Sequence, residues 1–149
     1  MCWHLQGQYT CNSVMKDVDE VNDMEMIIGG AYQGKEAYAR KNFPDITWKK
    51  GSELTAGELY QAEGILGFHD YIRKSLKEGA DVTDLAKALL EKNPDVILVS
   101  EEVGYGIVPA DAFERQYREA VGRICTALAA GSRKVTRVVC GIGTVLKDA

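Results

Sequence analysis

The sequence predicts an α/β fold in which helices are layered on a mainly parallel sheet. Three observations carry that prediction. Ile27-Ile28 runs into a glycine turn, Gly29-Gly30-Ala31-Tyr32-Gln33-Gly34-Lys35, and Glu36 onward reads as helix. Val96-Ile97-Leu98-Val99 is a continuous apolar run, the pattern of a strand covered on both faces. Strand and helix patterns alternate along the chain, with no internal repeat and no low-complexity linker. The 149 residues suffice for one domain with a real core.

Composition narrows the partners. Apolar residues make up 46% and charged residues 27%, an ordinary globular profile. A formal charge of −4 gives no reason to expect nucleic acid, which calls for a clustered basic excess. No apolar run approaches the ~18 residues of a membrane span. A basic stretch followed by an apolar one is absent from the N-terminus, so no secretory signal is expected. Cys2, Cys11, Cys125 and Cys140 lack C-x-x-C spacing, which predicts neither zinc nor a disulfide framework and fits a reducing cytoplasm.

Taken in order, residues 1–23 mix Trp3, His4 and Asn12 without period and then turn acidic. They are expected to be a disordered or extraneous tail, with a short capping helix over Ser13–Val21 as the alternative; the domain proper is expected to occupy 24–149. Met26–Ile28 is the first strand and Glu36–Asn42 the first helix, closed by Phe43-Pro44. Asp45–Thr55 is polar and reads as a loop. From Ala56 to Leu76, Leu59, Ala62, Ile65, Leu66 and Ile72 recur at helical spacing, with Gly64 and Gly67 as weak points. Thr83 or Asp84 caps the next helix, whose inner stripe is Leu85, Ala88 and Leu89 and which Asn93-Pro94 stops. Asp95–Ser100 is the buried strand. Asp111 opens a long helix to about Ala130 with Phe113, Tyr117, Val121, Ile124 and Leu128 inward. Val135–Cys140 reads as the last strand, and Gly141-Ile142-Gly143 leads out of it.

Chemistry concentrates in a few groups. Gly29, Gly34 and Lys35 fit G-x-x-x-x-G-K, whose backbone N–H groups wrap a phosphate while the lysine reaches its outer oxygens. A helix N-terminus behind the loop adds partial positive charge. The bland alternative is a glycine turn with a surface lysine. Glu101 and Glu102 follow the buried strand at the carboxyl edge, where open α/β sheets bind ligands. There an acid can hold magnesium, or both can be solvated loop acids. Arg115, Arg118, Gly122 and Arg123 share one helix face, suited to a phosphate or an acidic partner chain. The same face could equally be solvated and paired with Glu114 and Glu119. Of two histidines, His69 alone lies inside the expected domain. With Asp70 beside it, it is a candidate nucleophile or acid/base, or else a packed or surface residue.

Read together, these motifs resemble the adenosylcobinamide kinase / adenosylcobinamide-phosphate guanylyltransferase family. Glu102-Val103-Gly104-Tyr105-Gly106-Ile107-Val108-Pro109 is followed by Arg115, Arg118, Gly122-Arg123, Leu128-Ala129 and Gly141-Ile142. The family's signature there is Glu-Val-Gly-x-Gly-Ile-Val-Pro, then Arg-x-x-Arg, Gly-Arg, Leu-Ala and Gly-Ile. Its opening Gly-Gly-Ala-x-x-Gly-Lys-Ser corresponds to Gly29-Gly30-Ala31-Tyr32-Gln33-Gly34-Lys35-Glu36.

The resemblance implies a three-layer, RecA-like P-loop fold and a homo-oligomer, often a trimer. It implies GTP or ATP with Mg2+, and adenosylcobinamide, a corrinoid, as the hydroxyl to be phosphorylated. GMP then passes from GTP through a histidine to the new phosphate. By position, Gly29 to Glu36 would hold the nucleotide, and Glu102 and Glu36 would lie at the metal. Lys35 would act in catalysis, and Glu63 loosely matches the acid that binds guanine. Glu36 stands where the family has serine or threonine. Pro44 and Trp48 echo the family's histidine segment without a histidine, and His69 is the candidate replacement. Cys125 stands where asparagine is typical. A binding protein without transferase activity, acting as regulator or assembly partner, is the second reading. A structural subunit using the Arg115/Arg118/Arg123 face is the third.

Overall fold

The two isoleucines before the glycine turn do form a strand, and it sits at the centre of the sheet. In the computed structural model, which describes residues 22–103 and 110–149, β1 (Glu25–Gly29) lies between β4 (Ile97–Glu101) and β5 (Lys134–Val139), parallel to both. The expectations for the tail up to residue 21 and for the Gly104–Pro109 stretch fall outside the described residues. Asn22 and Asp23 are in neither helix nor strand. Outward from β4 come β3 (Gly64–Leu66) and β2 (Trp48–Lys50), also parallel; β6 (Ile142–Asp148) closes the other side, antiparallel to β5. The strand order is β2-β3-β4-β1-β5-β6.

Alternation along the central strands creates two cores, one on each face. Met26, Leu98 and Val135 point to one side, where they meet the larger helical layer. That layer comprises α2 (Ala56–Leu59), α3 (Phe68–Lys77), α4 (Leu85–Lys92) and α5 (Ala112–Gly131). Its fully buried Phe68, Leu89 and Leu128 each contribute about 1.5–3 kcal/mol of apolar transfer free energy. Ile27, Val99 and Val138 point to the other side, against Ala39 of α1 (Lys35–Asn42). The chain is therefore a three-layer α/β fold with a mainly parallel sheet, as its sequence predicts.

Helix ends follow local chemistry. Asp111 accepts a hydrogen bond from the Phe113 N–H (2.8 Å) and caps α5. Thr55 caps α2 by accepting from the Glu58 N–H. Asp84 occupies the cap of α4, but its side chain accepts no bond there; Asp81 instead holds Thr83 just upstream.

Three segments differ from the sequence reading. The expected loop 45–55 contains β2 and a 3-10 turn, Gly51–Glu53. A three-residue edge strand with two exposed lysines carries no apolar alternation, and lysine suits a sheet edge. The expected helix over 56–76 is helix, strand and helix. Ile65 and Leu66 belong to the fully buried β3, and their helical spacing from Leu59 is accidental. Gly64 is required there because a Cβ would lie 2.6 Å from the Trp48 ring. Gly67, at φ +69°, turns the chain from β3 into α3. Finally, the chain does not simply lead out after β5. Cys140 and Gly141, at φ +51° and +75°, form a two-residue turn of the kind that twists with a hairpin, and β6 follows.

Candidate functional site

The carboxyl edge of β1 delivers the glycine loop. Gly29 ends β1 where a Cβ would come 2.5 Å from the Val138 carbonyl oxygen, so only glycine fits. The loop then bends through Tyr32 at φ +61° and Gly34 at φ +88°, and Lys35 opens α1. A bulky residue in the left-handed region costs free energy, and such strain concentrates at functional loops. Tyr32 is also fully exposed.

Gln33 fastens the loop to the β5–β6 turn. Its carbonyl accepts from the Gly141 N–H and its Oε1 from the Cys140 N–H, both at 2.8 Å. Lys35 Nζ donates to the Gly30 carbonyl at 2.7 Å, so the ammonium is curled over its own loop. Burial lowers its pKa from the usual lysine value, opposed by the charges of Glu101 and then Glu102.

A cleft of about 380 Å³ opens beside the loop. Tyr32, Lys35 and Glu36 line one part of it; Lys50, Ser52, His69 and Asp70 line the rest. That volume is in the range of small-molecule sites. Glu36 is exposed and pairs along its helix with Arg40 (3.1 Å). Such a surface pair is weak, so the carboxylate can exchange partners at little cost.

The two tandem acids have different partners. Glu101 is in register with Gly29, the first residue of the loop. Its carboxylate Oε2 lies 3.1 Å from His69 Nε2, and its own backbone N–H donates to His69 Nδ1 at 3.0 Å. Glu102 faces Arg137 instead: Nη2 donates to Oε2 at 3.1 Å, and Nε lies 3.0 Å from Oε1. His69 comes from the first turn of α3 and is mostly buried. Burial pushes its pKa below the ordinary histidine value, although Asp70 and Glu101 pull the other way.

The structure thus brings Gly29 through Glu36, His69, Glu101 and Glu102 to one edge of the sheet. Glu63 is not among them. It precedes β3, where its carbonyl accepts from the Ile97 N–H at the start of β4, and so lies at the opposite edge. Arg115 and Arg123 are on the exposed side of α5; Arg115 donates to the Ala110 carbonyl (2.9 Å), and Arg123 pairs with Glu119. Arg118, half-buried, is on the same helix. Gly104, Gly106 and Pro109 lie outside the described residues. Cys125 is packed under the sheet against Ser100 (3.7 Å), and burial raises its thiol pKa.

Lys50, Ser52 and Arg137 join the site unannounced by the sequence. Lys50 sits on the unrecognised β2. Arg137 lies two residues after Val135 on β5, and that spacing was the one available signal for its face.

Magnesium is implied by a phosphate loop. Among the described residues no cluster of three His, Cys, Asp or Glu side chains could hold a metal unaided. A magnesium ion between phosphates needs one or two carboxylates with water, and Glu36, Glu101 and Glu102 offer that donor set near Lys35. The residues therefore fit such an ion.

Comparison with known proteins agrees with the geometry. Residues 54–146, more than half of the chain, match the family model described as cobinamide kinase / cobinamide phosphate guanyltransferase. The bifunctional adenosylcobalamin biosynthesis protein CobU of Escherichia coli is 37% identical over 78 residues, 52% of this chain and 43% of that protein. Its counterpart in Salmonella typhimurium is 46% identical over 52 residues, 35% and 29% of the two chains. The match thus spans less than half the length of either relative.

Among solved structures, the P4 protein of bacteriophage phi6 in complex with ADP aligns over 82% of this chain and 52% of its own, at 12% identity and TM-score 0.43. The P4 protein of phi13 gives 18% identity over 83% and 53%, also at 0.43. Those likenesses are loose and bear on neither activity nor ligand. No helix among the described residues is long and apolar enough to cross a membrane. By the family match, on a sheet that places its glycine loop at the carboxyl edge, this chain belongs to the cobinamide kinase / cobinamide phosphate guanyltransferase family.

Proposed function

We propose that this chain is a nucleotide-dependent transferase of cobalamin assembly. It binds GTP or ATP on the loop Gly29–Glu36 and passes the terminal phosphoryl group to the free hydroxyl of adenosylcobinamide. The observation that carries this reading is that Lys35 and the glycine loop line a cleft beside the strand end bearing Glu101 and Glu102, whose charges act on Lys35. Phosphoryl transfer asks mainly for positioning and charge neutralisation, and this edge of the sheet has groups for both.

In the reaction, the loop amides and the α1 N-terminus bind the phosphates. Lys35 leaves the Gly30 carbonyl for a phosphate oxygen, replacing one hydrogen bond by a charge-assisted one. Lys50 lines the same cleft and adds a second positive charge there. When bound, magnesium supplies neutralisation of the phosphates; Glu36 and Glu102 are the carboxylates that would hold it. Tyr32 lines the same cleft from the loop side. Homo-oligomerisation, often trimeric in the family this chain resembles, and a cytoplasmic setting belong to the same proposal.

The second reading is a nucleotide-binding homologue that regulates or assembles other partners. One observation favours it: Glu36, in place of a hydroxyl, is paired with Arg40. Transfer of GMP from GTP to the corrinoid phosphate is the family's other activity. Among the described residues it has only His69 as a histidine carrier.

The test compares the parent with Lys35→Ala, using radiolabelled nucleotide, magnesium and adenosylcobinamide. Phosphorylated corrinoid is expected from the parent and a loss of at least roughly a hundredfold from the variant. Nucleotide binding without product would favour the second reading. Equal nucleotide binding by parent and variant would overturn the phosphate-loop assignment.

A further inference from the structure

Tyr32 is strained and gains no burial for it. Its backbone sits at φ +61°, in the left-handed region, where a bulky side chain is disfavoured and glycine is at ease. Gly29, Gly30 and Gly34 stand in the same loop, yet this position holds a tyrosine whose ring is fully exposed. The next residue, Gln33, is tied through its carbonyl and its Oε1 to the β5–β6 turn, so the backbone beneath the ring is held in place. A strained residue fixed by its surroundings, with nothing packed against it, points to a ligand rather than to stability.

The side of the loop on which the ring lies identifies that ligand. Tyr32 lines the cleft with Lys35, Lys50 and Ser52 and with the buried Leu66 and Val99, which come from β3 and β4. On a loop of this kind the lysine reaches the outer phosphates of the nucleotide. β4, whose end bears Glu101 and leads into Glu102, lies between β1 and β3. An acid so placed serves the metal at the terminal phosphates. The terminal phosphoryl group therefore points towards the cleft, and the nucleoside lies away from it. In-line transfer brings the attacking hydroxyl to the face of that phosphorus opposite the leaving oxygen. The cleft is thus the approach of the acceptor.

We propose that Tyr32 is an acceptor-binding residue, its ring stacking on the corrin of the substrate at the mouth of the cleft, which rests on the phosphotransfer reading above and deepens it. The loop amides serve the nucleotide, and this one side chain serves the acceptor.

Size supports that division. A cleft of about 380 Å³ is at the small end of pockets that hold a drug-sized molecule. An adenosyl-bearing corrin is far larger, so only its hydroxyl-bearing arm can enter. The macrocycle stays outside, where the exposed ring meets it. Corrin is broad, nearly flat and conjugated, the shape that offset stacking on a phenol ring requires. Leu66 and Val99 suit the carbon chain of the arm, whose hydroxyl then arrives beside Lys35 and the terminal phosphate.

Tyr32→Gly separates this role from a structural one. Glycine relaxes the left-handed backbone, and the variant is expected to melt close to the parent. With saturating magnesium-nucleotide, its KM for adenosylcobinamide is expected to rise about tenfold while nucleotide KM stays within about twofold. Tyr32→Phe keeps the ring and is expected to return the acceptor KM to within about threefold of the parent. Calorimetric titration of adenosylcobinamide into protein loaded with a non-hydrolysable nucleotide is expected to give the same ranking.

An unchanged acceptor KM in Tyr32→Gly would overturn the proposal, as would a Tyr32→Phe variant as weak as Tyr32→Gly. A rise confined to nucleotide KM would place the ring on the nucleobase and overturn it too. Should the glycine variant fail to fold, Tyr32→Asn, which tolerates the left-handed region, decides by the same readout. A parent that binds the corrinoid and forms no phosphorylated product would overturn the phosphotransfer reading alone, and the titration then decides the role of the ring by itself. A parent that binds no corrinoid would overturn both.

Discussion

Burial of His69 links stability to pH. Burial lowers its pKa below the unfolded value of about 6.5. Between the folded and unfolded values, the unfolded chain binds a proton that the folded chain refuses. Stability contributed by this site therefore rises with pH through that window, is complete above about 6.5, and is lost as pH falls below it. Urea unfolding at about pH 5 and about pH 7.5 is expected to show a smaller acid-side loss in His69→Gln than in the parent. An identical loss in both would assign the pH dependence to other groups. This residue was visible in the sequence as a candidate, but its partner was not. Only the strand register and the turn at Gly67 bring the ring against Glu101, and neither is a property of residues 69 and 101 alone.

At the scale of elements, the strong patterns read true and the short ones did not. The apolar run Val96–Val99, the stripe of α5 and the glycine loop each carry enough periodicity or composition to declare themselves. β2 and β3 have three residues each, too few to show a period of two. β3 is recognised afterwards by what its first residue lacks. Trp48 lies over Gly64, beside Ile46, and completes the small core around Ala39. Gly64→Ala would drive a methyl group into the indole at 2.6 Å and into Ile46 at 2.8 Å. Overpacking of this kind is expected to destabilise by about 1–3 kcal/mol in denaturant titration. Because β2 carries Lys50 into the cleft, nucleotide affinity is expected to fall as well; an unchanged affinity would separate β2 from the site. β6 escaped detection for another reason. Its exposed Ile142, Val145 and Leu146 do not alternate cleanly, and a register shift opposite Val135 and Thr136 breaks the pattern further.

On the scale of the molecule, the site is a junction of distant segments: the loop after β1, the ends of β3 and β4, and the β5–β6 turn. A ligand that binds only this assembled edge stabilises the whole fold by mass action. At a magnesium-nucleotide concentration a hundredfold above Kd, the gain is expected to be about 2.7 kcal/mol. Thermal melting should rise accordingly in the parent and stay flat in Lys35→Ala. A parent whose melting ignores nucleotide would argue against the assembled site.

The fastening of Gln33 also has a consequence for how the protein is made. Gln33 and Cys140 are 107 residues apart, and β1 takes its two neighbours from β4 and β5. The glycine loop leaves the ribosome before both strands that flank its own, and nothing made before residue 97 can pair with that strand. Its last hydrogen bonds wait for residue 141. Synthesis runs from the N-terminus, and such non-local closures are slow. A nascent chain released before the β5–β6 turn would carry the complete phosphate-loop sequence without a finished loop, and nucleotide could not rescue it by binding early.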